Sequence, residues 1–157
     1  MKRLFFYLLS IFAFVSRGFS NRLYMNLILR AHRSQGVKFN GQPEYIHQDA
    51  YLDPSGGLTI GEKTVISTRA IILTHDWSFL TRYKAKGIEF VHIDNSLAFK
   101  SVSIGHNTFV GAGAIILPGS QIGTSCIIGA GAVIKGKIDD FSIMAGNPAK
   151  RIGCTKQ

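Results

Sequence analysis

Residues 104–139 read IGHNTF VGAGAI ILPGSQ IGTSCI IGAGAV IKGKID, six hexads in unbroken succession. The first place is always aliphatic: Ile104, Val110, Ile116, Ile122, Ile128 and Ile134. The second is Gly in four of the six, and the fifth is small in Thr108, Ala114, Ser120, Cys126 and Ala132. A period of six belongs neither to an α-helix, with about 3.6 residues per turn, nor to a simple alternating strand. It fits short strands that meet at regular corners. The aliphatic first place and the small fifth place point inward, and the third and fourth places form the corner. Asn107, Gly113, Gly119 and Gly131 hold the fourth place, where a positive φ is expected and Gly or Asn tolerates it. Three hexads close one triangular coil, which buries its aliphatics only by stacking on its neighbours.

The same pattern occurs earlier, in IGEKTV ISTRAI ILTHDW at 60–77. Residues 104–139 then give two coils, 60–77 one, and 41–59 (GQPEYIHQDAYLDPSGGLT) an irregular first coil. The expected fold is mainly β, a parallel β-helix of about four coils. Between 78 and 100 the hexads stop. That stretch carries Arg82, Tyr83, Lys84, Lys86 and Phe90, and it begins directly after His75. A long loop leaving a regular scaffold is functional or disordered, and its start beside His75 favours function.

The N-terminal segment has a different character. Residues 4–15 (LFFYLLSIFAFV) are apolar and follow Lys2 and Arg3. Twelve residues are too few to span a bilayer as a helix, which takes about 20. With Ser16-Arg17-Gly18 behind it, the run has the outline of a signal peptide. Residues 19–33 mix Leu23, Met25, Leu27 and Leu29 with Arg22, Arg30 and Arg33, and 2–34 is read as one or two helices. Two roles fit: an interfacial anchor on anionic lipid, or a helical cap on the first coil or on another subunit. The chain thus divides into 1–40, the N-terminal helical cap or membrane-surface segment, and 41–153, the β-helix.

Composition narrows the class. At 157 residues the chain is one domain with a real core. Hydrophobic residues make up 46% against 17% charged, which suits a repetitive β architecture more than a charge-rich bundle. The net charge of +9 points to an anionic partner: nucleic acid, a membrane surface or a polyphosphate cofactor. Cys126 and Cys154 build neither a disulfide framework nor a zinc site, and a reducing compartment is expected.

His75 stands in Ile72-Leu73-Thr74-His75-Asp76-Trp77, at the fourth place of its hexad. That corner faces outward beside the long loop. An imidazole has the intrinsic pKa to take a proton from a hydroxyl near neutral pH. Taken alone, a surface His without a role is the plainer reading. Asp76 is placed to orient the imidazole or meet an acceptor, with Trp77 next to it. Asp53 precedes Pro54-Ser55-Gly56-Gly57, where turn chemistry accounts for it.

The hexads resemble those of the hexapeptide-repeat acyltransferases. The tail SIMAGNPAKRI (142–152) resembles the Gly-x-Pro-Ala-Lys segment that closes the repeat in sugar acetyltransferases of that family. The Thr74-His75-Asp76 version looks like the capsule and exopolysaccharide branch. The resemblance covers 41–153. It implies a left-handed coil, acetyl-CoA as co-substrate without a metal, and a homotrimer with its active site between subunits. It implies His75 as catalytic base, because family members carry theirs at the end of a coil just before the long loop. It also implies that Asp53 or Asp76 meets the acceptor sugar or the His. Carried over by position, pantetheine runs past Ala112 and Ala130, whose small side chains let a ligand approach the backbone. Lys135 and Gly136 match the coil-edge pair, in Lys-Gly order where the family usually has Thr-Lys. Lys150, with Arg151 beside it, matches the basic residue near the nucleotide. Cations attract the phosphates of CoA, while a solvated basic tail is the plainer alternative.

The reaction so implied is acetyl transfer from acetyl-CoA to a hydroxyl of a sugar or polysaccharide precursor by direct attack. Cys126 sits at an inward place and no Gly-x-Ser-x-Gly elbow is present, so no acyl-enzyme is expected. A backbone N–H or a Ser/Thr hydroxyl would stabilise the oxyanion. A CoA-dependent enzyme belongs in the cytoplasm, which includes the inner face of the membrane. N-acetylation of an amino sugar or small amine uses the same base and cofactor. A hexad-built solenoid that only binds is the alternative from another class. A γ-class carbonic anhydrase would need three convergent His, and His32, His47, His75, His92 and His106 share no coil at neighbouring spacing. Nucleic-acid binding lacks an interleaved recognition motif, so no nucleic-acid partner is expected.

Overall fold

The computed structural model describes residues 2–89 and 94–156 of the chain. Phe90 and His92, singled out above, lie outside the described residues. Two helices come first, α1 (Lys2–Ser16) and α2 (Asn21–Gln35). Ser20 caps α2 by accepting from the Leu23 N–H at 3.3 Å, and Gly36 ends it at φ 110°. One face of α2 buries Tyr24, Met25, Ile28 and Leu29, and the Tyr24 hydroxyl donates to the Ile46 carbonyl at 2.7 Å. The α2 helix therefore packs on the first coil.

Short parallel strands then wind into three sheets. Sheet A stacks β1 (Lys38–Asn40), β4 (Leu58–Gly61), β7 (Val102–Ile104), β10 (Gln121–Ile122) and β13 (Lys137–Ile138). Sheet B stacks β2 (Tyr45–Ile46), β5 (Val65–Ile66), β8 (Phe109–Val110), β11 (Ile127–Ile128) and β14 (Ser142–Gly146). Sheet C stacks β3 (Tyr51–Leu52), β6 (Ile71–Ile72), β9 (Ile115–Ile116) and β12 (Val133–Ile134). A final strand, β15 (Ala149–Cys154), folds back antiparallel on β14. The chain thus makes four full coils and begins a fifth. Sheet A already includes residues 38–40, which the sequence reading put in the N-terminal segment.

The hexad positions behave as their chemistry dictates. Ile60, Ile66, Ile72, Val110, Ile116 and Ile128 are fully buried, one above another through the stack. Truncating one of them to Ala costs about 2–5 kcal/mol, because no neighbouring coil can collapse into the gap. Thr64, Ala70, Thr108, Ala114, Ser120, Cys126 and Ala132 fill the narrow corners and are buried too. Burial pushes the Cys126 thiol up, consistent with a packing role. At the fourth place Lys63, Arg69, Asn107 and Ser125 take positive φ, as do Gly113, Gly119 and Gly131.

The outward positions separate the sheets. On sheet A they are Lys38, Thr59, Ser103, Gln121 and Lys137. On sheet B they are Tyr45, Val65, Phe109, Ile127 and Ile143. On sheet C they are Tyr51, Ile71, Ile115 and Val133. One outer face is polar and two are apolar.

Candidate functional site

At the corner between sheets C and A, the first two coils depart from the hexad rule. Leu52 is followed by Asp53-Pro54-Ser55-Gly56-Gly57, and Ile72 by Leu73-Thr74-His75. Leu52 pairs with Ile72, so the two irregular corners lie one above the other. Gly56 makes the stacking possible: a Cβ there would stand 2.2 Å from the Thr74 carbonyl oxygen. Its N–H donates to the Thr74 hydroxyl at 2.8 Å.

This stacking puts Asp53 under His75. The Asp53 carboxylate is almost wholly buried, and the His75 side chain is about one-third exposed. Asp53 Oδ1 accepts from the Ser55 N–H at 3.0 Å and the Ser55 hydroxyl at 2.7 Å. Oδ2 accepts from the Thr74 N–H and hydroxyl, both at 2.8 Å, and faces His75 Nδ1 at 2.6 Å. Burial opposes the charge on Asp53, yet the donors of Ser55 and Thr74 outweigh it. They hold its carboxyl well below the ordinary carboxylate value. A carboxylate can only accept, so Nδ1 carries the hydrogen, and in the neutral ring the lone pair is then on Nε2. The turn chemistry expected of Asp53 is present on one oxygen, and the imidazole contact is on the other.

His75 lacks the positive φ of the regular fourth places, because the chain leaves the coil here. The Lys100 N–H donates to the Thr74 carbonyl at 2.8 Å, and the Asp76 N–H to the Ala98 carbonyl at 2.8 Å. His75 and Phe99 face each other across an antiparallel bridge. The loop thus begins and ends at His75. Its described part holds the short helix α3 (Phe79–Ala85) and a 3-10 turn at Asn95–Ala98.

The expectation that Asp76 orients the imidazole is corrected. Asp76 Oδ1 accepts from the Ser78 N–H at 2.8 Å, while Asp53 takes the ring nitrogen. Adjacent residues on an extended backbone point to opposite sides, so His75 and Asp76 diverge. Bonds to Ser78, with Lys100 and Lys135 nearby, lower the Asp76 carboxyl below its usual value. Trp77 stacks on Phe79 and meets Phe99 edge-on, with ring centres 6.0 and 5.9 Å apart. Phe99 in turn lies 6.5 Å from the His75 ring. Sequence reasoning missed Phe99, since only the loop stem brings it back.

His75 borders two hollows. One, of about 590 Å³, lies between α1, α2 and the first coil, and Arg3, Tyr7, His32, Gln35, Tyr51 and Asp53 contribute to its wall. Burial lowers the His32 imidazole to about 4, so it stands there uncharged. The other hollow, of about 220 Å³, is lined by Leu73, Asp76, Lys100, Leu117 and Lys135. Lys135 and Gly136 follow Ile134 at the same corner of the fourth coil.

The remaining predicted residues lie elsewhere. Ala112 and Ala130 sit exposed at the opposite edge of sheet C, on the corner between sheets B and C. These two corners stack tightly: the Gly131 N–H donates to the Ala112 carbonyl at 2.9 Å, and a Cβ on Gly111 would stand 2.6 Å from the Ala130 nitrogen. Lys150 and Arg151 are exposed on β15 at the end of sheet B. Within one chain, sheet C separates the His75 corner from Ala112 and Ala130. Among the described residues, no group of three His, Cys, Asp or Glu side chains could hold a metal ion.

Residues 101–136 match the bacterial transferase hexapeptide (six repeats) family. A Mycobacterium tuberculosis protein assigned by name to acetyl transfer is 30% identical over 141 residues, covering 74% of this chain and 47% of that protein. An Escherichia coli K12 protein assigned by name to O-acetyl transfer in lipopolysaccharide biosynthesis is 27% identical, covering 75% of this chain and 61% of that protein. A maltose O-acetyltransferase of Clostridium difficile 630 shares the fold with a TM-score of 0.65 at 19% identity, covering 99% of this chain and 87% of that one. The chain spans between 47% and 61% of the length of these two curated relatives.

Proposed function

We propose that this chain, whose residues 101–136 match the bacterial transferase hexapeptide family, moves an acetyl group from acetyl-CoA to a hydroxyl of a sugar or polysaccharide precursor. The observation that carries the reading is the 2.6 Å contact between His75 Nδ1 and the buried Asp53, at a corner with a hollow on either side. Asp53 holds the ring in the tautomer that leaves Nε2 free. His75 Nε2 takes the proton of the acceptor hydroxyl as its oxygen attacks the acetyl carbonyl. The resulting imidazolium is stabilised by the Asp53 charge beneath it. When the tetrahedral species collapses, the C–S bond breaks and His75 returns the proton to the departing thiolate. General-base help of this kind contributes about 10²–10⁴-fold.

Charge and space favour acetyl-CoA as donor. Lys100 and Lys135 flank the smaller hollow, Ala112 and Ala130 leave the backbone approachable, and Lys150 and Arg151 offer charge for phosphates. Lys100 and Lys135 stand at one edge of sheet C, Ala112 and Ala130 at the other, and Lys150 and Arg151 at the end of sheet B, so a site that uses them all joins two chains. The apolar outer faces of sheets B and C supply a surface for that, in keeping with a homotrimer. The larger hollow, with Tyr51 and Tyr7 on its wall, then faces the acceptor.

Release of free thiol from acetyl-CoA, measured over a panel of sugars and amino sugars, tests the reading. A hydroxyl-bearing sugar should stimulate release, and His75→Ala should abolish the stimulation. Acetyl-CoA that fails to bind, or a stimulated rate unchanged in His75→Ala, overturns it.

A further inference from the structure

We infer that α1 docks, lying flat, on the surface of an anionic lipid bilayer. Packing on α2 takes one stripe of this helix: Ala13 and Ser16 are buried, Leu9 and Ser10 are half-buried, and Phe6 meets the His32 ring at 5.4 Å. Leu4, Phe5, Leu8, Ile11, Phe12 and Phe14 stay between 47% and 66% exposed, and Phe19 just beyond is 88% exposed. On a helix these positions spread over more than one side. A flat protein partner covers one side, whereas a helix sunk about 5–10 Å into the headgroup and acyl boundary of a bilayer buries its flanks as well. At 15 residues α1 is about 22 Å long, short of the ~30 Å hydrocarbon core. Among the described residues no helix is long and apolar enough to cross a membrane. Lying in the interface is the remaining way to bury such a helix in lipid.

Charge selects the surface. The sequence places seven Lys and Arg, and no Asp or Glu, ahead of Glu44, against a net charge of +9 for the whole chain. Arg3, Arg17, Arg22 and Arg30 are all exposed. A second copy is a poor occupant, because pairing two such segments sets these arginines against each other with no carboxylate to compensate. An anionic leaflet attracts every one of them. Through Arg3, Phe6 and Tyr7 the same helix walls the hollow that ends at His75. If His75 acts as proposed above, docking brings that hollow beside the headgroups, which suits an acceptor hydroxyl on a lipid-anchored sugar.

The test is co-sedimentation of the full chain with vesicles of phosphatidylcholine and phosphatidylglycerol at about 7:3, beside vesicles of phosphatidylcholine alone. Binding should favour the anionic vesicles and weaken as salt rises. Ile11→Lys/Phe12→Lys should bind the anionic vesicles at least about tenfold more weakly, although it adds two positive charges, because insertion is lost. Its melting temperature and its turnover of a soluble sugar should stay native. Equal binding to both vesicle types, or undiminished binding by the variant, overturns the inference. So does a native chain that binds neither vesicle but forms an assembly that the variant dissolves, since a second copy would then cover α1. Vesicle binding is read without turnover, so failure of the acetyl-transfer reading leaves this result interpretable.

Discussion

The two edges of sheet C are built from the same hexad grammar and end up chemically opposite. On the edge toward sheet B, the third and fourth coils turn through Gly111-Ala112-Gly113-Ala114 and Gly129-Ala130-Gly131-Ala132, small residues that obey the repeat. On the edge toward sheet A, the first and second coils break it. A two-residue extension at Gly56-Gly57 and the departure of the loop after His75 let Asp53 and His75 meet. A regular corner repeats one conformation and leaves the backbone accessible. An irregular one can aim a side chain, fix its tautomer and border a cavity. The regular edge therefore suits ligand passage, and the irregular edge suits proton transfer.

The largest expected effect comes from the irregular edge. His75→Ala should lower kcat/KM for thiol release by about 10³-fold with the melting temperature kept, because the side chain is partly exposed. Survival of half the activity would remove the chemical distinction between the two edges.

Asp53→Asn should lower kcat by about 10²-fold with KM for acetyl-CoA unchanged, since an amide has a single accepting oxygen and cannot both serve Ser55 and Thr74 and fix the Nδ1–H tautomer. It also carries a stability signature. The folded carboxyl is depressed, so its contribution is present above the ordinary carboxylate pKa and fades as pH falls toward the folded value. Below about pH 4 the native chain should lose stability more steeply than Asp53→Asn, as read by urea unfolding across pH. Parallel pH profiles would mean that Asp53 is not held ionised in the fold.

On the regular edge, Ala130→Trp should act on the donor alone. KM for acetyl-CoA should rise about tenfold while the limiting rate stays, because an exposed corner side chain obstructs a path without touching the base. An equal fall in kcat would place that edge in the chemistry itself.

The smallest effects concern the sheet faces. Ile115→Lys, on the apolar outside of sheet C, should reduce the assembly mass in solution, and Ser103→Lys on sheet A should leave it unchanged. Light scattering on both variants decides whether the apolar faces or the polar one meets other subunits.

Much of this architecture could be read in advance. The hexads fixed which residues point inward, because a first-place aliphatic has nowhere else to be buried. They also placed His75 in the last hexad before the pattern fails. The partner of His75 was harder to read. Leu52 and Ile72 are 20 residues apart, whereas the regular repeat sets Ile104 and Ile122 18 apart. Counting in sixes therefore does not reach the level of Asp53, and the sequence left both Asp53 and Asp76 as candidates to meet the ring. Aligning the aliphatics of the first coil with those of the second, and allowing the extra Gly pair, would have put Asp53 at the same corner.

By itself, then, the sequence determined the period, the inward set, the polar and apolar alternation of each strand and the excess of positive charge on the N-terminal segment. These are local or periodic properties, and each residue carries its share of them. The tertiary structure decided which corner stands above which, that Asp53 rather than Asp76 meets the imidazole, that Phe99 returns to the His75 ring and that α1 walls the hollow beside it. Those are contacts between residues distant along the chain. They depend on an insertion, a loop closure and a helix docking, none of which a repeat encodes.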